Sequence, residues 1–127
     1  MQKELVICVI LVILIIIGDI VTQNYTKNTV NYITGELESL KQSLFEKDDD
    51  KADEEISKID NKWKEVYDKL AYYIEHDELE KVKTELTGLR GYIEKEEYSE
   101  AVPELDKSVY ILEHIKEKTA LNLKNIF

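Results

Sequence analysis

One cysteine, one proline and four glycines are all that this 127-residue chain has of the residue types that staple, break or bend a backbone. A lone thiol, Cys8, leaves no partner for an intrachain disulfide. It precedes most of its apolar run, whereas a lipidated cysteine follows one, so a lipoprotein signal is excluded. So few breakers leave long helices uninterrupted. Strand-like alternation is missing outside the short tail. Catalytic patterns are missing too. There is no nucleophile with a base at a recognisable spacing, no glycine loop for phosphate and no metal triad, so no enzyme and no cofactor are expected. Basic residues are scarce, 17 against 27 acidic, for a net charge of −10. Phosphate backbones need a basic patch, which argues against a nucleic-acid partner. The same charge argues against a domain lying flat on anionic lipid.

What is abundant is apolar length at one end. Leu5 to Ile17 is an unbroken run of thirteen apolar residues, followed past Gly18 and Asp19 by Ile20 and Val21. Leu5 to Val21 as a helix is about 25 Å long, the short end of a bilayer span. Asp19 sits where it reaches the headgroups. No Ala-x-Ala follows in "GDIVTQNYT", so an uncleaved anchor is expected rather than a cleaved signal peptide. Lys3 and the terminal amine give a weak positive bias before the run, which reads as cytoplasmic, with the acidic remainder outside.

Beyond the run, apolar residues keep heptad spacing in four series. These are Val30, Ile33, Leu37, Leu40, Leu44; Ala52, Ile56, Ile59, Trp63, Val66, Leu70, Tyr73; Leu79, Val82, Leu86, Leu89, Ile93; and Tyr98, Val102, Leu105, Val109, Leu112. Each is the signature of a helix that buries one stripe. The fold class expected is all-α, an N-terminal transmembrane helix continuing into an antiparallel four-helix bundle. The plan is an anchor over 1–21, a domain over 22–118 with helices near 22–46, 52–76, 78–95 and 99–115, and an apolar tail over 119–127. Asp77 and Ser99 fit N-caps. Pro103 belongs in the last helix's opening turn, or costs it a hydrogen bond if that helix starts earlier.

The stretch from Glu36 to Lys58 aligns without gaps to Glu85 to Lys107 at an offset of 49, with Glu36, Leu37, Leu40, Ala52, Glu55 and Lys58 repeated identically. Two helical hairpins are therefore copies of one unit. The repeat predicts matched polar contacts within each hairpin, Arg90 with Glu104 and Lys41 with Glu55. Antiparallel helices bring the chain's end back to the membrane side. There Leu121, Leu123, Ile126 and Phe127 are expected to dock across the bundle end.

At "YIEHDELEKV", "ILEHIKEK" and "LNLKNIF" the chain resembles a family of uncharacterised small membrane-anchored helical bacterial proteins. The family is classed as a domain of unknown function and found mostly in low-GC Gram-positive bacteria. The resemblance covers nearly the whole chain and is most specific from Ile74 onward. It marks His76, Glu78, Arg90, Glu104, Glu113, His114 and the residues Leu121, Asn122, Leu123, Asn125, Ile126 and Phe127. Lys116 stands where a proline is common, and Leu70 where a tryptophan is common. No enzymatic activity comes with the resemblance.

Both histidines follow a glutamate and end a returning helix in this plan, next to Glu75, Glu78 and Glu113. That is a candidate metal set lacking the Glu-x-x-His spacing of di-iron bundles, against plain helix-end histidines. Tyr67, Tyr72, Tyr73, Tyr92, Tyr98 and Tyr110, with Trp63, either pack the core or line a pocket. Two functions follow. One is a membrane-anchored extracytoplasmic interaction or structural module with a protein partner and the bilayer around Leu5 to Val21. The other is an accessory ligand-binding bundle acting with a partner. A contiguous apolar surface patch favours the first; an enclosed cavity lined by tyrosines favours the second.

Overall fold

In a computed structural model the chain forms α1 (Gln2–Phe45), α2 (Asp49–Leu70), α3 (His76–Glu94) and α4 (Tyr98–Ile126). The structure describes residues 1–126, with side chains through Leu121. α1 is unbroken from its apolar start into the bundle, as the lack of Pro or paired Gly predicts. Its Thr and Asn residues lower helix propensity without ending it. Thr22 and Thr26 turn their hydroxyls back onto the carbonyls of Asp19 and Thr22, at 3.0 and 2.8 Å.

The two halves of α1 have opposite environments. From Thr26 on, Val30, Ile33, Leu37, Leu40 and Leu44 are buried. Before it, the apolar run has no fully buried residue among those described, and it is long and apolar enough to cross a membrane. Leu5 is 66% exposed and Val21 59%. Left in water, each such large side chain forgoes roughly 1.5–3 kcal/mol.

Above the run, the backbones of α1 and α3 each approach both α2 and α4 closely, while the diagonal pairs stand farther apart among the described residues. This is the up-down-up-down ring expected of short connections. The heptad series of α1, α2 and α3 are the core, apart from Tyr73 at 37% exposure. In α4 the stripe is rotated from the sequence expectation. Ala101, Leu105, Ser108, Leu112 and Ile115 face inward, and Tyr98, Val102 and Val109 only flank them. Ala101 and Ser108 are small, so hydropathy favoured their larger neighbours. The repeat carried the right register, since these five match Ala52, Ile56, Ile59, Trp63 and Val66.

The duplication is plainest at the tips distal to the run. Lys47 and Glu96, 49 residues apart, both adopt the left-handed conformation, at φ 56° and 57°. The same C-terminal hydrogen bonds recur around them. Asp48 N–H donates to the Ser43 carbonyl and Glu97 N–H to the Tyr92 carbonyl, at 3.0 and 2.9 Å. This double-bonded cap ends α1 and α3, and the next helix begins after three intervening residues. Tyr98 hydrogen-bonds Asp49, its own repeat equivalent, across the tip. Burial first, then that carboxylate, raises its hydroxyl pKa well above the ordinary value.

Several boundaries differ from expectation, beginning with α2, which starts at Asp49 rather than at 52. α2 stops at Leu70, and α3 starts at His76 with Glu75 as N-cap, so Asp77 lies in the first turn. α4 starts at Tyr98, one residue before Ser99, so Pro103 lies inside it, past the opening turn. It cannot donate to the Ser99 carbonyl. Finally α4 does not end near Ile115 to Lys118 in an extended tail but runs helically to Ile126. No residue after Pro103 breaks it. Two contacts set its register on α1, Lys41–Asp106 at 3.0 Å and Lys116–Asn31 at 3.2 Å. Continued down both helices, that register brings Ile126 level with Val21. Leu121 is 55% exposed rather than docked. The docking expected of Leu123, Ile126 and Phe127 lies outside the described side chains.

A left-handed Lys or Glu costs roughly 1–2 kcal/mol, part of which glycine returns as chain entropy. Lys47→Gly and Glu96→Gly are each expected to stabilise the full chain by about 0.5–1 kcal/mol. Urea unfolding in detergent is the check, with Glu46→Gly, in a right-handed position, expected to destabilise.

Candidate functional site

The α2–α3 seam is the most open of the four. A groove of about 470 Å³ lies along it, with Trp63, Tyr67 and Leu86 among its lining residues. Trp63 belongs to the core stripe and is 4% exposed. It meets Tyr67 edge-on, with ring centroids 6.1 Å apart. Such an arrangement sets the positive edge of one ring against the negative face of the other. The indole N–H is buried with no acceptor among the described residues. Tyr67 donates to Glu80 Oε1 at 2.9 Å and lies 3.3 Å from His76 Nδ1. The Glu80 carboxylate, foremost, raises the Tyr67 hydroxyl pKa.

Charged side chains border this apolar lining. Lys64 projects from α2 and Lys83 from α3. At the end nearer the tips Arg90 Nη1 donates to Asp60 Oδ2 at 2.7 Å, and its Nε to Glu94 at 3.2 Å. The Asp60 side chain is only 15% exposed. Burial raises its carboxyl pKa above the ordinary value, and Arg90 only partly offsets that.

The expected partner of Arg90 is thus corrected. Arg90 on α3 pairs with Asp60 on α2, not with Glu104, and Lys41 on α1 pairs with Asp106 on α4, not with Glu55. The repeat does match these basic residues. Each reaches outward to the other hairpin, because the position beside its core leucine faces the neighbouring seam. Glu55 instead accepts from the Ser43 hydroxyl at 3.2 Å.

Glu104 lies on the α3–α4 seam with Lys107 at 3.2 Å. Glu85 shares that seam. With both carboxylates ionised, Glu85 Oε2 has no hydrogen-bond partner. A proton held on Glu85 is donated to Glu104, which raises the Glu85 pKa and lowers that of Glu104. Lower on the seam Glu78 accepts from Lys118 at 3.0 Å, with His114 at 3.9 Å. Glu113 pairs with Lys116 one turn on, at 2.8 Å. His76 opens α3 rather than closing α2, and His114 stands in mid-helix, so neither is a helix C-terminal residue. Each faces a different carboxylate, Glu80 and Glu78. Among the described residues no group of three or more His, Cys, Asp or Glu side chains converges as a metal set. Sequence reasoning missed Asp60, Lys64, Lys83 and Glu85. Asp60 was findable, since it adjoins the core stripe at Ile59, where a charge must find a partner.

Residues 20–126 match the model of a family described as Domain of unknown function (DUF4363). No curated protein and no solved structure matches the chain.

Removing Arg90 leaves the Asp60 carboxylate mostly buried and unpaired. Arg90→Ala is expected to cost about 1–3 kcal/mol at neutral pH, and Lys41→Ala, at an exposed pair, far less. Asp60 holds its proton more tightly folded than unfolded. Its contribution to stability is therefore full below the unfolded-state pKa and lost as pH rises through the raised folded value. The penalty of Arg90→Ala should accordingly shrink as pH falls through the carboxylate range. Urea titrations of both variants across that range measure it.

Proposed function

The chain belongs to the DUF4363 family, and on that premise we propose that it is a single-pass membrane-anchored interaction module whose helical domain stands outside the cytoplasm and works by contact, not catalysis. One observation carries this reading. The uncovered apolar half and the core-forming half of α1 are one unbroken helix. The bundle is thereby tethered rigidly, with about one helical turn between Val21 and the first buried residue, Thr26. Orientation rests on the positive bias of Lys3 and the amine before the run. Contact rather than catalysis is favoured because Arg90 is committed to Asp60 and Glu94, and Tyr67 to Glu80. A protein partner fits a groove that has apolar lining residues and charges of both signs along its length. The second reading, an accessory bundle that binds a small ligand, is favoured by Trp63 and Tyr67 within the same groove.

Topology has a direct test. In a Cys8→Ser chain carrying Glu46→Cys at the distal tip, a membrane-impermeant maleimide should label intact cells. Labelling only after permeabilisation would reverse the orientation.

The groove has another. A photo-reactive residue at Thr87, within it, should crosslink to a protein in native membranes, while one at Tyr110 should not. Trp63 is the chain's only tryptophan. If its emission instead shifts on adding a protein-free small-molecule extract, and Thr87 yields no crosslink, the ligand reading replaces the partner reading. Silence in both assays sinks both.

A further inference from the structure

The end of the bundle that faces the apolar run carries its own contact surface. The turn from Ala71 to Ile74 hangs beside α1 just past that run. Tyr73 donates its hydroxyl to the Thr22 carbonyl at 3.2 Å and lies 2.6 Å from Thr26 Oγ1. Thr22 immediately follows Val21, the last residue of the run. The turn is therefore held at the level where a spanning helix leaves hydrocarbon. Beside it Tyr72 points away from the protein, 89% exposed. Leu121, on α4, is 55% exposed, and the α1–α4 register places it near Thr26.

We propose that this end of the bundle rests on the bilayer surface, with Tyr72 inserted among the lipid headgroups as a second point of attachment beside α1. The inference rests on the anchor reading above and extends it. An amphipathic ring at headgroup depth buries its apolar body and keeps its hydroxyl hydrated, which is why Tyr and Trp concentrate there. Geometry fixes the occupant. α1 is one unbroken helix from the run into the bundle and the turn is bonded to Thr22, next to Val21, so whatever surrounds Val21 also meets the turn. Of the lysines near this end, Lys118 is taken by Glu75 and Glu78 at 3.5 and 3.0 Å, Lys69 lies over the Tyr25 ring, 5.7 Å from its centroid, and Lys27 is exposed. The seat is the aromatic ring, which a neutral lipid surface can hold. One interfacial tyrosine beside the spanning helix restricts tilt of the bundle against the membrane plane, holding the α2–α3 groove at a set height.

The test uses the full chain in phosphatidylcholine vesicles, with and without brominated acyl chains, with Trp63 emission of the unmodified chain as baseline. Tyr72→Trp should add blue-shifted emission that the brominated lipid quenches. Tyr110→Trp is the control. It is 74% exposed and, by the α1–α4 register, about 24 Å above Val21, so it should emit as a water-exposed indole and escape quenching. Both sites are surface positions, so neither variant threatens folding. A chain that does not float with the vesicles overturns the anchor and this inference together. A chain that floats, with Tyr72→Trp quenched no more than Tyr110→Trp, overturns this inference alone. Blue-shifted but unquenched Tyr72→Trp emission also overturns it, by showing protein rather than lipid around the ring.

Discussion

Everything in this molecule hangs on the burial of one stripe of α1. Val30, Ile33, Leu37, Leu40 and Leu44 pack against α2 on one side and α4 on the other, and all are at most 2% exposed. The first half of the same helix offers an apolar run with no fully buried residue among those described. One helix thus has two environments. Where the stripe narrows to heptad spacing, other helices cover it. Where apolar residues surround the helix, it is long and apolar enough to cross a membrane. The change comes within one turn, so the bundle has no spacer from the apolar segment.

The second constraint is the duplicated hairpin. A left-handed residue after α1 and another after α3, at the same place in each repeat, reverse the chain with matching hydrogen bonds. Each hairpin alone leaves one apolar face open. Two face each other to make a single core, and the polar contacts follow that arrangement. Lys41 and Arg90 link the hairpins to one another across the α1–α4 and α2–α3 seams. The seams are not equal. Trp63 and Tyr67 stand at the α2–α3 seam, where bulky rings hold the helices apart and leave the groove. Divergence at repeat-related positions supplies the reason. Trp63 corresponds to Leu112 and Ile59 to Ser108, so one copy is bulky where the other is small.

Much of this was legible in residue order. Helix number, the continuity of α1, the core stripes of three helices and the repeat all follow from spacing and from missing breakers, which act over a few residues. The α4 stripe was misread because Ala101 and Ser108 carry little hydropathy and are buried only because larger side chains surround them. Helix ends were misread where several acidic residues compete to cap, as at Glu75 and Asp77. The C-terminal segment was read as a tail because the fourth heptad series stops at Leu112, yet the helix runs on to Ile126.

The site was less legible than the fold. Which carboxylate Arg90 meets depends on the angle at which α3 leans on α2, and no local pattern encodes that. Composition, periodicity and the repeat are sums over neighbouring residues, so the sequence by itself determined an apolar span, four amphipathic helices and their pairing into two hairpins. Only the tertiary structure decided that the hairpins bridge through Asp60 and Asp106, that Glu85 and Glu104 share one seam, and that the Tyr73 turn is bonded to Thr22. Those contacts join residues 19 to 65 positions apart, and an interaction between such distant groups exists only once packing has fixed the distance between them.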